Sequence, residues 1–301
     1  MKILKATHLG QCFGVRDALA LANRSAAEGP LTILGDLVHN ETVVSDLRSR
    51  GVRIESRLEA VDTPTVMITA HGASHRQRLS IEASGHRVIE ATCPLVRFAH
   101  DQVLHLARAG YHPVIVGQRD HVEVRGLTGD LDAYDVVLTE ADIDTLESRP
   151  RFGVASQTTQ PIAKVRALVD RLRGRFPESE VRFVDTVCQP TKQRQHAAER
   201  LAEVCDVVLV VGGLRSNTTR QLAETCGRGG SRVYQIQTAA DLRLEWFREA
   251  ETVGLTAGTS TPDDIIESVE SALRTIGIAQ GIPTMDLGLV PPKQVQEVST
   301  G

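Results

Sequence analysis

Short β-branched runs ending in glycine, serine, threonine or histidine alternate along the chain with amphipathic stretches rich in alanine and arginine. A strand covered on both faces reads as a continuous apolar run, whereas a surface helix shows an apolar stripe every 3.6 residues. Val66-Met67-Ile68-Thr69-Ala70, Val114-Ile115-Val116 and Val207–Val211 fit the first description; residues 160–175, 191–205 and 262–276 fit the second. Helical stretches open near polar or proline start signals such as Thr261-Pro262-Asp263. This alternation predicts βα units on parallel sheets, an α/β fold.

Self-comparison finds three copies of one unit. Cys12, Cys93 and Cys188 are each followed by a helical stretch and then by a strand ending in glycine, at Gly35, Gly117 and Gly212, which lie 23, 24 and 24 residues further on. Four residues past each glycine stands a polar hydrogen-bonding residue: His39, His121 and Ser216. A further strand in each unit ends in a small polar loop, namely Thr69-Ala70-His71-Gly72, Ala155-Ser156-Gln157-Thr158 and Thr256-Ala257-Gly258-Thr259-Ser260. Ligands of open α/β sheets bind at the carboxyl ends of strands, where all of these residues fall. The repeat therefore predicts three pseudo-repeated α/β domains about a pseudo-threefold axis, converging on a central site. The expected limits are 1–90, 91–186 and 187–281, with residues 282–301 as a loose tail.

Composition narrows the function. At 301 residues with 41% hydrophobic content, the chain exceeds what one core usually serves. Its formal charge of -4, from 34 basic and 38 acidic residues thoroughly mixed, supplies no basic stripe for a phosphate backbone, so no nucleic-acid partner is expected. No segment approaches the roughly 20 apolar residues of a membrane span, and the first residues lack a signal-peptide run, so the expected location is the cytoplasm. Five cysteines, an odd number, in a reducing compartment favour metal or reactive roles over a disulfide framework.

A lone cysteine is most often an ordinary buried residue. Packing alone, however, has no reason to place cysteine at one position of three successive units. Cys205 and Cys226 lie outside the pattern and keep the structural reading. Three distant thiolates suit either zinc with an open fourth position or a [4Fe–4S] cluster with one iron lacking a protein ligand. The absence of any C-x-x-C pair leans toward the cluster. Glu123, two residues past His121, is the natural proton source for a departing hydroxyl beside such a group. His39, His71, Ser216, Asn217 and Ser260 form a set of donors suited to a phosphate or diphosphate.

Together these motifs carry a resemblance. Cys12-Phe13-Gly14-Val15-Arg16, Val38-His39-Asn40, Ala70-His71-Gly72, Ala91-Thr92-Cys93-Pro94, His121-Val122-Glu123, Ser156-Gln157-Thr158-Thr159, the Cys188 loop, Ser216-Asn217 and Thr256–Ser260 resemble the 4-hydroxy-3-methylbut-2-enyl diphosphate reductases, the LytB/IspH family, over roughly residues 1–280. The resemblance implies a trefoil of three α/β domains around a [4Fe–4S] cluster, and a two-electron reductive dehydroxylation to isopentenyl and dimethylallyl diphosphates, with electrons from ferredoxin or flavodoxin. It implies Cys12, Cys93 and Cys188 as cluster ligands, and His39, His71 and Ser260 as holders of the diphosphate. Glu123 and Thr158 match the pair near the substrate hydroxyl and its proton relay, with His121 close by.

The chain departs from the family pattern in several places. The usual Lys-Asn-Ser-Ser-Asn is Leu214-Arg215-Ser216-Asn217-Thr218, so Ser216, Asn217 and Thr218 stand where a serine-rich phosphate grip is expected. His-Pro-Glu becomes His121-Val122-Glu123, Gln11 replaces a phenylalanine, and Gly35-Asp36-Leu37-Val38 replaces a Gly-Pro-Ile-Val loop. Kept chemistry with a changed substrate, as in a paralogue of a specialised pathway, is one alternative. A non-catalytic, cluster-based redox sensor is another, against which the retained Glu123 and Thr158 argue.

Overall fold

The computed structural model describes residues 1–38, 40–214, 216–279 and 285–289. The chain opens with β1 (Lys2–Lys5), α1 (Phe13–Glu28), β2 (Leu31–Leu34), α2 (Glu41–Ser49) and β3 (Arg53–Glu55). There follow β4 (Thr65–Ile68), α3 (His75–Ala83), β5 (Arg87–Glu90), α4 (Pro94–Arg108) and β6 (His112–Val116). Next come α5 (Val122–Thr128), β7 (Asp135–Val137), α6 (Glu140–Asp144), β8 (Arg151–Ser156), α7 (Ile162–Arg175) and β9 (Glu180–Phe183). The last elements are α8 (Gln189–Val204), β10 (Val207–Val211), α9 (Asn217–Gly227), β11 (Arg232–Ile236), β12 (Thr252–Ala257), α10 (Asp263–Ala279) and β13 (Met285–Leu289).

All strand pairs are parallel, and they form three sheets in the orders β3-β2-β4-β5, β7-β6-β8-β9 and β11-β10-β12-β1-β13. The expected α/β class and its threefold repeat are thus present as three sheets of matching order. The match extends to single hydrogen bonds. Gly35, Gly117 and Gly212 each donate their N–H to the carbonyl that ends the neighbouring edge strand, at Glu55 (2.7 Å), Val137 (3.0 Å) and Ile236 (2.8 Å).

The strand before each cysteine closes the sheet of the preceding unit. β5 leads to Cys93 and closes the first sheet, and β9 leads to Cys188 and closes the second. By the same rule β1, which leads to Cys12, pairs with β12, so residues 2–5 complete the third sheet and not the first. Within the stretch expected as a loose tail, β13 pairs with the other side of β1.

Each sheet is buried on both faces, which explains its continuous apolar strands. In the second sheet one face packs Phe152, Val154 and Val116 against Leu168 and Leu172 of α7, while the other sets Ile115 and Ala155 against Ala99 and Val103 of α4. In the third, Leu209, Val211 and Leu255 pack with Leu273 of α10, and Val208 and Val210 pack with Leu201 of α8. Cys205 and Cys226 sit in this second layer; burial raises both thiols to about 12, so they behave as small apolar core residues. The chain forms two compact units: residues 11–192 with 216–218 hold the first two sheets, and the remaining described residues hold the third. Among the described residues no helix is long and apolar enough to cross a membrane.

Candidate active site

Cys12, Cys93 and Cys188 each stand immediately before a helix, at the starts of α1, α4 and α8. Their carbonyls accept the first helical bonds, from Arg16 N–H (3.0 Å), Arg97 N–H (3.0 Å) and Lys192 N–H (3.1 Å). A side chain at this position meets the unpaired N–H groups of the first turn and the positive end of the helix dipole. For Cys93 the amides of Leu95 and Val96 serve the sulfur; for Cys188 the hydroxyl and amide of Thr191 do so, with the thiol 3.0 Å from Thr191 Oγ1. Burial nevertheless outweighs these bonds and pushes both thiols up, Cys188 to about 11, with added repulsion from Glu123 and Cys12. Such thiols ionise readily only when a cation binds them.

The backbone holds two of these cysteines to the central strands. Cys93 N–H donates to the Ala70 carbonyl (3.0 Å), just past β4, and Cys188 N–H donates to the Thr158 carbonyl (2.9 Å), just past β8. Gly14, in the first turn of α1, lies against Cys93: a Cβ there would stand 2.6 Å from Sγ and 3.1 Å from Cβ of that cysteine. Gly14→Ala is therefore expected to displace Cys93. Iron analysis of anaerobically reconstituted protein should show reduced loading in this variant, while its circular dichroism stays close to that of the parent.

Glu123 is fully buried at the start of α5, 1% exposed. Its carboxyl accepts the Thr158 N–H at 2.6 Å, and burial raises its pKa to about 7 although the Thr158 amide and hydroxyl oppose the rise. Thr158 thus bridges the acid to a cysteine: its amide faces Glu123 and its carbonyl holds Cys188. His121 caps α5, its Nδ1 accepting the Glu123 N–H at 3.1 Å. An accepting Nδ1 places the proton of the neutral ring on Nε2. The rings of His71 and His121 meet edge to face with centroids 5.4 Å apart. His71, Thr92 and Glu123 border one cavity of about 110 Å³.

Supporting this loop is a buried polar network in which Thr186, Gln118 and Gln160, which no sequence motif marked, meet Ser156 and Gln157. Thr186 Oγ1 accepts the Ser156 N–H and donates to the Ser156 carbonyl, both at 2.7 Å. Gln157 Oε1 accepts from Gln118 N–H (3.2 Å) and Gln160 Nε2 (3.0 Å), and Gln157 is wholly buried. These contacts fix the peptide of Thr158. Thr186 precedes Cys188 by two residues and Thr191 follows it by three, spacings that would have been a signal had the loop's fold been known.

The anion-binding candidates divide. Residues 216–218 belong to the same compact unit as the three cysteines; Ser216 and Asn217 are buried, and Ser216 Oγ lies 3.1 Å from Thr218 Oγ1. Ser260 belongs to the other unit, where its hydroxyl is buried with no hydrogen-bond partner among the described residues. His39 and Arg215 lie outside the described residues. Asn40, beside His39, serves the helix that follows, since its side chain caps α2 by accepting from the amides of Thr42 (3.0 Å) and Val43 (3.3 Å).

Comparison with known proteins gives consistent results. The profile of the LytB protein family matches residues 3–274. The 4-hydroxy-3-methylbut-2-enyl diphosphate reductase of Aquifex aeolicus is 37% identical over 280 residues, which span 91% of this chain and 96% of that one. The enzyme of the same name from Trichlorobacter lovleyi is 37% identical over 276 residues, spanning 91% and 98%. A solved (E)-4-hydroxy-3-methyl-but-2-enyl diphosphate reductase, described as the terminal enzyme of the non-mevalonate pathway, superposes with a TM-score of 0.67 at 36% identity, over 91% of this chain and 99% of the other. The Plasmodium falciparum reductase superposes with a TM-score of 0.88 at 24% identity, over 97% and 94%, a likeness of fold.

Proposed function

The chain belongs to the LytB protein family, and from that premise we propose that it is a cytoplasmic iron–sulfur reductase that converts 4-hydroxy-3-methylbut-2-enyl diphosphate to isopentenyl and dimethylallyl diphosphates. The observation that carries this reading is the Glu123–Thr158–Cys188 chain, in which one peptide joins a buried acid to a cysteine.

Cys12, Cys93 and Cys188 would hold a [4Fe–4S] cluster with one iron lacking a protein ligand. The donor set fits such a group: three soft thiols, two of them raised by burial, stand at equivalent helix starts, and Gly14 leaves room beside Cys93. When bound, the cluster would pass on two electrons, one at a time, drawn from ferredoxin or flavodoxin, and would supply a Lewis-acidic iron.

The remaining work belongs to the chain's own side chains. Replacing C–OH by C–H consumes two electrons and two protons and releases water. Glu123, half protonated near pH 7, supplies a proton to the departing hydroxyl, and the Thr158 hydroxyl completes the relay. His121, with its proton on Nε2, and His71 donate to the substrate from the rim of the site. His39, Ser216, Asn217 and Thr218 would complete the grip on the diphosphate. Anaerobic turnover of this substrate with a reduced viologen tests the reading; cluster-replete protein that forms neither diphosphate product would overturn it.

The altered grip favours a second reading, a paralogue with a changed substrate. A lost hydrogen bond to a charged group costs about 1.5–3 kcal/mol, or roughly tenfold to more than a hundredfold in affinity. The KM for hydroxymethylbutenyl diphosphate is therefore expected to exceed that of a reductase bearing Asn-Ser-Ser-Asn. The triple substitution Arg215→Asn, Asn217→Ser and Thr218→Asn should lower it. Equal KM and kcat in the parent and a motif-complete enzyme would make the departure neutral.

A further inference from the structure

We propose that His75, His100 and Asp130 form a binding site for one divalent cation of the zinc class, separate from the three cysteines. Their ligating atoms all lie within 4.8 Å of one another. Three segments supply them: His75 is the first residue of α3, His100 lies within α4, and Asp130 follows α5 by two residues. The three residues belong to the same compact unit.

The plain alternative is a helix cap with an attached ion pair. Asp130 does act as a cap, its Oδ2 accepting the His75 N–H at 2.8 Å and its Oδ1 the Arg76 N–H at 2.9 Å. What the cap does not explain is His100. Its buried Nε2 stands 3.1 Å from Asp130 Oδ2, close enough for an ion pair, but without the geometry of a hydrogen bond. A buried polar atom without a partner is costly, and a bound water or ion is one of the ways in which folded proteins satisfy it. Two ligands of one tetrahedral ion with bonds of 2.0–2.2 Å are about 3.4 Å apart and aim at the ion, not at each other. The observed pair, at 3.1 Å, is within a few tenths of an ångström of that spacing and lacks the geometry of a hydrogen bond.

Protonation states agree with the geometry. Burial holds the His100 imidazole below its ordinary pKa despite the nearby carboxylate, so its lone pair is available at neutral pH. For Asp130 burial acts in the opposite sense, but the amides of Arg76 and His75 outweigh it and keep the carboxyl ionised. Those amides also fix the carboxylate, as outer contacts do for metal ligands. The His75 and His100 rings stack at 24° with centroids 5.4 Å apart, and His75 is exposed, giving an ion access from solvent. Two imidazoles and one carboxylate favour zinc, cobalt, nickel or copper over magnesium or calcium, and three protein ligands leave a fourth position to water. A bound ion would clip α3, which packs on the first sheet, to α4, which packs on the second. It would also sit on the wall of the cavity that His71 and Glu123 border, since His75 and His100 line the same space.

The test uses the whole chain, purified without oxygen and first loaded with iron and sulfide so that the cysteines are occupied. One equivalent of zinc sulfate is added, and the coordination shell is read at the zinc X-ray absorption edge, which iron does not obscure. The expected result is an all-nitrogen-and-oxygen shell near 2.0–2.1 Å with imidazole scattering and no sulfur near 2.3 Å. Competition against a chromophoric chelator should show zinc affinity falling at least about tenfold in His75→Ala, whose exposed position spares the fold, and in Asp130→Asn. Sulfur in the shell, no zinc retained by the parent, or equal affinity in the parent and His75→Ala would overturn the proposal.

Discussion

Serine in place of Cys12, Cys93 or Cys188 is expected to leave the anaerobically reconstituted chain without a stable cluster, whereas the parent, Cys205→Ser and Cys226→Ser each retain about four irons. The argument rests on how the five sulfurs are held. Three stand immediately before the first turn of a helix, and two of these three have their amide tied to a carbonyl just past a central strand. Cys205 and Cys226 instead pack among Ala198, Leu201 and Val208, and Cys226 donates to the Ala198 carbonyl at 3.6 Å. Serine there costs stability in an apolar layer but leaves the ligand set whole. A serine hydroxyl is a poor substitute for a soft thiolate, and two remaining cysteines hold a cubane on only two corners. Iron and acid-labile sulfide per chain provide the measurement. Stoichiometric zinc at these cysteines in a strictly anaerobic preparation, with no iron, would remove the cluster from the reading.

How much of this was legible beforehand depends on the range of the interaction concerned. The threefold repeat was visible because cysteine, glycine and polar residue recur within one unit at nearly constant spacing, and the strands Val114–Val116 and Val207–Val211 fall inside or upon β6 and β10. The membership of β1 was not visible. Four residues carry too little pattern to name a partner some 250 residues away, and only the completed sheet shows that the strand before Cys12 obeys the same rule as those before Cys93 and Cys188. The same holds for β13, which joins the sheet through that short strand. At the site, Glu123 could be singled out from its place beside His121, but the Thr158 amide that meets it and the Thr186 and Gln157 contacts behind that amide depend on loop conformation. His75, His100 and Asp130 are separated by 25 and 30 residues and belong to no repeat, so nothing local marks them.

Glu123→Gln is expected to keep the cluster and the fold and to lose most turnover, by about 10²–10⁴-fold, the usual contribution of a positioned acid. Glutamine has nearly the same shape and retains an oxygen for the Thr158 N–H, so the peptide that carries Cys188 should stay in place. What it lacks is a proton to give. In the parent, burial raises this carboxyl to about 7, well above an ordinary glutamic acid, while the two Thr158 bonds limit the rise. The protonated fraction is therefore high below pH 6 and declines as the pH passes through 7. Turnover limited by this acid falls along the same curve toward alkaline pH, in contrast to an enzyme whose glutamate must be ionised. The residual rate of the glutamine variant should show no such decline between pH 6 and pH 8. Rates measured with a chemical reductant in excess, at equal iron content, separate the proton step from electron supply. Near-normal turnover in Glu123→Gln, or a parent rate that rises through pH 7, would assign the proton to another group, and His121, hydrogen-bonded to the same residue's amide, would be the next to test.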